Sequence, residues 1–273
     1  MKSTLMLLFK DIHFDARVIR EATALARSGW QVYVACLDIY AEEPPQLHPN
    51  VTLIRIPITT KRLKRNVDQS SVHGATKTQF IYKIIRNPLV KLVKDVWAQR
   101  EFREKVLREL ADRQIDVIHC HDLNTLNTGV SLSKKLNIPH LIYDSHELYN
   151  EMNGKKPFEK RVGYLLEKRY IQHADFVITV NEYLKDALAN RYQLTNVLIL
   201  RNCQPLYTVE TGRERYFHQR YGLADSEQVV LYQGGLTPSR GLEQLIQAVK
   251  LLPEHVHVVL LGYGDLKPHL ASL

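Results

Sequence analysis

Two strand-like runs in this chain of 273 residues end in a histidine and a carboxylate. Asp116-Val117-Ile118-His119-Cys120 leads into His121-Asp122, and Leu141-Ile142-Tyr143-Asp144 leads into Ser145-His146-Glu147. Three chemistries fit such groups. Asp122 can cap a following helix while the histidine closes a strand. His119 and His121 share one strand face and, with His146 and Glu147, could ligate a metal. Against the metal, His119 is expected to point into a helix-covered face of the sheet, and no further ligand motif accompanies it. The third reading is a sugar or nucleotide pocket, in which imidazoles and carboxylates hydrogen-bond hydroxyls or a phosphate.

A second region bears on that choice. Val229-Val230-Leu231-Tyr232-Gln233 runs into Gly234-Gly235-Leu236-Thr237-Pro238-Ser239-Arg240-Gly241. Paired glycines let backbone amides approach a phosphate, a helix start favours anions, and a guanidinium grips a diphosphate with two parallel bonds. Read blandly, the segment is a strand-to-helix turn. Val258-Val259-Leu260-Leu261 ends similarly in Gly262-Tyr263-Gly264-Asp265, which would also permit a ligand to come close.

The elements that must position these groups alternate. Short aliphatic runs are predicted as strands over 4–9, 31–37, 51–56, 116–120, 140–144, 176–180, 197–201, 229–232 and 257–261. Between them, helical spacing marks 16–28, 123–136, 159–172, 182–191, 241–252 and a start at Asp265. Several of the strands are apolar almost throughout, as a parallel strand covered on both faces requires. In open α/β sheets ligands bind beyond the carboxyl ends of the strands, where both histidine pairs fall.

A polar stretch near 203–215 separates residues 1–204, a complete Rossmann-like domain, from 205–273, which carry only two strands and one full helix. Such a piece buries little surface alone, so a second domain cut short is expected.

Composition excludes several classes. Hydrophobic residues are 45% and charged residues 24%, which is globular rather than disordered or fibrous. The three cysteines are far apart and form no CxxC pair, so a disulfide framework or zinc ribbon is not indicated and a reducing compartment fits. The first apolar run is short, has no small-residue cleavage site after it and reads as a buried strand. No apolar stretch reaches the ~20 residues that cross a bilayer.

The net charge of +8 is concentrated, with fourteen Lys and Arg against six acids between residues 60 and 113. There, Phe80, Ile81, Ile84, Ile85, Leu92, Val93, Val96 and Trp97 recur at helical spacing, and Pro88 is expected to divide the segment into two helices. The stripe either packs on the sheet with a solvated basic face, or meets an anionic membrane surface. Nucleic acid is not indicated, because no recognised binding module accompanies the charge.

Taken in order, Asp15-Ala16-Arg17-Val18-Ile19-Arg20-Glu21-Ala22, His121-Asp122, Asp144-Ser145-His146-Glu147, Val180-Asn181, Leu200-Arg201-Asn202, Gly234-Gly235-Leu236 with Arg240-Gly241, and Gly262-Tyr263-Gly264 resemble glycosyltransferase family 4 from end to end. The resemblance implies the α/β GT-B architecture and transfer of sugar from a nucleotide donor with retention and without a metal or other cofactor. It implies that Gly234, Gly235 and Arg240 hold the donor diphosphate, with Gly262 and Gly264 near the nucleoside. His121 would face the transferred sugar, and His146 and Glu147 the acceptor side.

The chain departs from the family at two points. Lys10-Asp11-Ile12-His13-Phe14-Asp15 stands where many members have a glycine-rich loop, and Gly235 where many have a basic residue, so Arg240 carries more of the phosphate contact. The family's pair of donor-sugar glutamates is expected beyond Leu273. The expected role is cell-surface polysaccharide or glycolipid synthesis in the cytoplasm or at its membrane face, with a glycan or lipid-linked acceptor. The alternatives are a catalytically silent sugar-nucleotide-binding or membrane-docking fragment and a GT-B-like epimerase.

Overall fold

The computed structural model describes residues 1–39, 43, 45–59, 88–152, 155–204, 206, 208 and 215–273. They form two compact units, Met1–Cys203 and Gln204–Leu273.

In the first unit seven strands form one sheet: β1 (Ser3–Leu8), β2 (Gln31–Leu37), β3 (Val51–Ile56), β4 (Val117–His121), β5 (His140–Asp144), β6 (Phe176–Thr179) and β7 (Val197–Ile199). Their order is β3-β2-β1-β4-β5-β6-β7 and every pairing is parallel. The order reverses at the β1–β4 junction, the topological switch point beside which open α/β sheets bind ligands. Among the described residues five α-helices accompany the sheet: α1 (Ala16–Arg27), α2 (Pro88–Glu109), α3 (Leu123–Leu136), α4 (Pro157–Ile171) and α5 (Glu182–Tyr192).

The period-2 alternation of side chains divides the core. Leu5 and Leu7 of β1 and Ile118 and Cys120 of β4 join the cluster that includes Phe102, Val106, Leu126 and Val130 of α2 and α3. Met6 and Leu8 turn the other way, onto Val18, Ala22 and Ala26 of α1. In the parallel register Met6 lies beside His119, Leu8 beside His121, and His121 beside Asp144. His119, His121 and Asp144 therefore share the α1 side of the sheet.

Local chemistry sets several element ends. The Asp15 carboxylate accepts from the Val18 amide at 3.0 Å to start α1, and Asn181 accepts from Leu184 at 2.9 Å to start α5. Pro88 opens α2, where its missing N–H has no helical partner to lose. The helix expected before Pro88 lies outside the described residues.

The stripe of α2 that packs inward is Ala98, Phe102 and Val106, followed by Leu110 just past its end. Val93, Val96 and Trp97, which the spacing allowed to pack on the sheet, instead remain 59–66% exposed. No helix is long and apolar enough to cross a membrane among the described residues.

The second unit holds β8 (Gln228–Gln233) paired in parallel with β9 (Val256–Leu261), and α6 (Tyr216–Tyr221), α7 (Leu242–Val249) and α8 (Lys267–Leu270). Leu236, Leu242 and Leu270 form its small core. Alpha6 has no counterpart among the expected elements. Six residues give too little periodicity to register.

Candidate functional site

At the carboxyl ends of β4 and β5 a charged network fills the space under α1. Arg17 projects from α1 toward the sheet and is 5% exposed. Its Nε and Nη2 donate to the two carboxylate oxygens of Asp144 at 2.9 and 3.1 Å, and its Nη1 donates to the Leu200 carbonyl at 2.7 Å. Glu21, one turn on, meets the same guanidinium at 2.9 Å. A planar guanidinium suits this two-oxygen grip. One helix face thus ties the ends of β5 and β7 together.

Around this pair stand three histidines. His119 and His121 stack with ring centroids 4.3 Å apart, and His121 Nδ1 lies 3.2 Å from His146 Nε2. His121 is fully buried, whereas His146 is partly exposed above it. The two residues come together as a unit, but His146 is the one presented outward. The Glu147 side chain is exposed.

Environment divides the histidines electrically. Burial pushes His119 down to about 4, and burial followed by the neighbouring His119 holds His121 well below the ordinary imidazole value. Burial also opposes a charge on His146, but pairing with Asp144 and the charges of Asp122 and Asp15 outweigh it and raise its pKa. Asp144 is driven up by burial, yet His146, His121 and His119 hold it below the usual carboxylate range. Burial and the adjacent Asp144 raise Glu21. Two imidazoles are thus biased toward the neutral form and the third toward the charged form, from residues of the same type.

Asp122 is the N-cap residue of α3, but its side chain makes no capping hydrogen bond. Its backbone sits at φ 64°, ψ 161°, and its carboxylate turns to His146 Nδ1 at 3.7 Å and Lys10 Nζ at 3.8 Å. Lys10 in turn meets Asp15 at 2.7 Å. The chain after β1 therefore brings a cation to the switch point.

A metal could be held by donor atoms of Glu21, His119, His121 and Asp144, which lie within 4.8 Å of one another. His146 and Glu147, the partners expected from sequence, are not in that set. Arg17 already meets both carboxylates, so a cation there would face a fixed positive charge at close range.

In the second unit Gly234 and Gly235 follow β8 directly. Gly241, at φ 72°, is the N-cap of α7, with no side chain capping the helix. Arg240, immediately before it, is exposed and makes no hydrogen bond or ion pair among the described residues. Gly262 and Gly264 serve packing as well. A Cβ on Gly262 would strike the Gly234 carbonyl oxygen, and one on Gly264, at φ 155°, the Leu236 backbone. The two strand-end loops bond through Gly234 N–H to Leu261 O at 3.0 Å and Leu236 N–H to Tyr263 O at 2.8 Å.

Sequence reasoning singled out both histidine motifs but not the part of Arg17, Glu21 and Asp144. The available signal was a charged i, i+4 pair on the core-facing side of α1.

A doubly wound parallel sheet with a polar cluster at its switch point, followed by a second strand–glycine–helix unit, defines an α/β fold of the GT-B glycosyltransferase class. Residues 16–203 match the family model described as glycosyl transferase 4-like domain, and the chain belongs to that family. An uncharacterized glycosyltransferase of Methanocaldococcus jannaschii is 27% identical over 187 residues, 65% of this chain and 48% of that protein. YtcC of Bacillus subtilis, which carries a provisional glycosyltransferase name, is 29% identical over 176 residues, 61% of this chain and 41% of its own. The chain thus spans about half the length of these curated relatives.

Among solved structures, a sucrose-phosphate synthase from Thermosynechococcus elongatus aligns over 95% of this chain and 62% of its own, with TM-score 0.67 at 18% identity. HepE from Anabaena, solved in complex with UDP, aligns over 100% of this chain and 64% of its own, with TM-score 0.62 at 18% identity.

Proposed function

We propose that the chain takes part in transferring a sugar from a nucleotide-sugar donor to an acceptor hydroxyl, with retention and without a catalytic metal. The observation that carries this reading is Arg240, an exposed guanidinium with no partner among the described residues, set beside a Gly-Gly turn and the uncapped start of α7. Departure of a nucleoside diphosphate builds negative charge on the leaving oxygens. A guanidinium together with helix-start amides stabilises that charge without a cation. Family membership supports the same assignment.

In the first unit, His146 is the group placed to meet the sugar or the acceptor hydroxyl. Its raised pKa favours positive charge at the partly exposed edge of the cluster, and His121 stands behind it at 3.2 Å. Glu147, exposed next to it, serves acceptor binding. Gly234, Gly235, Gly262 and Gly264 shape the loops against which the nucleotide rests.

The acceptor is a glycan or a lipid-linked sugar, in polysaccharide or glycolipid synthesis at the cytoplasmic membrane face. The exposed Val93, Val96 and Trp97 of α2, beside Lys94, favour contact with an anionic lipid surface.

The test is a panel of UDP-, GDP- and ADP-sugars scored by nucleotide release, using the full-length gene product and its Arg240→Ala variant. Loss of an oxyanion-type donor costs on the order of a hundredfold or more in turnover, with the circular dichroism spectrum unchanged. Turnover equal to the parent would remove Arg240 from the mechanism.

A further inference from the structure

Helices α4 and α5 form the walls of an open cavity of about 370 Å³, lined by Arg161, Tyr164, Leu165, Lys168, Arg191 and Tyr192. That volume falls in the range of small-ligand sites, roughly 300–1,000 Å³. None of the residues of the histidine cluster lines it. Half of the lining side chains are cations and none is an acid. Arg161, Lys168 and Arg191 are exposed and make no ion pair among the described residues. Glu151, whose charge reaches Arg191, is engaged by Lys160 at 2.6 Å and by the Tyr164 hydroxyl. Cations gathered in a concavity without a counter-charge favour an anion there.

The floor of the cavity is fixed from within. Glu167, on the buried side of α4, accepts from the hydroxyls of Tyr143 at 2.8 Å and Tyr192 at 2.6 Å, and from Asn150 Nδ2 at 2.7 Å. These bonds direct the carboxylate inward and pin the end of α5 to α4. Tyr164 carries Arg191 over its ring, with the guanidinium carbon 4.1 Å from the centroid. A stacked guanidinium still presents its N–H edge to an oxyanion.

The outer face of α4 adds apolar surface to this charge. Phe158, Arg161, Leu165 and Lys168 share one face by helical spacing. Phe158 is 56% exposed, Leu165 65% and Leu166 44%. We propose that the cavity binds the headgroup phosphate of an anionic lipid. Arg161, Lys168 and Arg191 meet the phosphate oxygens, and Leu165, with Phe158 beyond it, meets the start of the chain. A free phosphate would satisfy the cations and leave those side chains uncovered, so charge and apolar surface together select an amphiphile. The site shares no residue with the exposed stripe of α2 or with the groups assigned to sugar transfer.

The experiment titrates the full chain calorimetrically with dihexanoylphosphatidic acid below its micelle concentration and, separately, with inorganic phosphate. The lipid should bind about tenfold or more tighter than phosphate. The double variant Arg161→Gln with Lys168→Gln should weaken lipid binding by roughly tenfold or more, since each removes one cation from the phosphate. Leu165→Ser should weaken the lipid and not the phosphate, whereas Trp97→Ala should leave both unchanged.

Absence of lipid binding, phosphate binding as tight as the lipid, or lipid affinity unaltered in the double variant or in Leu165→Ser each overturns the proposal. Lipid affinity lost in Trp97→Ala would place the contact on α2 and overturn it as well. Circular dichroism separates a lost site from a lost fold. If the double variant does not fold, Lys168→Gln alone decides by the same comparison.

Discussion

Replacing Arg17 with methionine tests whether the charged network is what closes the first unit. Methionine keeps much of the apolar stem and removes the bonds at 2.9 and 3.1 Å to Asp144, the bond at 2.7 Å to Leu200 and the contact at 2.9 Å with Glu21. Asp144 is wholly buried and would keep a negative charge facing the histidines and Glu21. Breaking a buried pair from one side costs about 3–5 kcal/mol, because the stranded charge has no water to return to. Against a typical domain stability of about 5–15 kcal/mol, that is a large fraction.

Urea unfolding followed by tryptophan fluorescence measures it directly, since Trp30 and Trp97 both belong to the first unit. The double variant Arg17→Met with Asp144→Leu removes both members of the pair and should recover part of the loss, with a coupling energy of roughly 2 kcal/mol. A single-variant loss under about 1 kcal/mol, the size expected of an exposed pair, would refute this reasoning.

Two further outcomes follow from the same geometry. His119 is held near 4 where a free imidazole has 6.5, so between those values the unfolded chain binds a proton that the native chain refuses. Stability is therefore lost as pH falls from 6.5 toward 4, by about 3 kcal/mol in total. His119→Gln should flatten that part of the stability–pH curve, and an unaltered slope would contradict the assignment. For α2, the chain should co-sediment with vesicles containing anionic lipid, and Trp97→Ala should weaken this. Equal binding to neutral vesicles, or none, would return Val93, Val96 and Trp97 to the status of solvated surface.

The secondary elements were largely legible in the residues. Near-continuous apolarity marks β1 and β2 because both faces are covered, and the 3.6-residue spacing with Asp15 and Gly29 at its ends marks α1. The clustering of chemistry at 119–122 and 144–147 was legible too, since a strand running into polar residues shows where a parallel sheet opens. These signals are local and need only neighbours in the chain.

What the tertiary structure decided depends on pairing distant segments. Register places His121 beside Asp144 and packs α1 over both, so Arg17 and Glu21 become partners of residues more than a hundred positions away. The same long-range packing turns the Asp122 side chain from an expected capping bond toward His146, and buries Phe102 rather than Trp97 along α2. Gly262 and Gly264 are required by the Gly234–Leu236 loop lying against them, which no spacing within either loop reveals. An apolar or charged side chain has the same local signature whether it faces a sheet or water, and only the closed fold determines which one it meets.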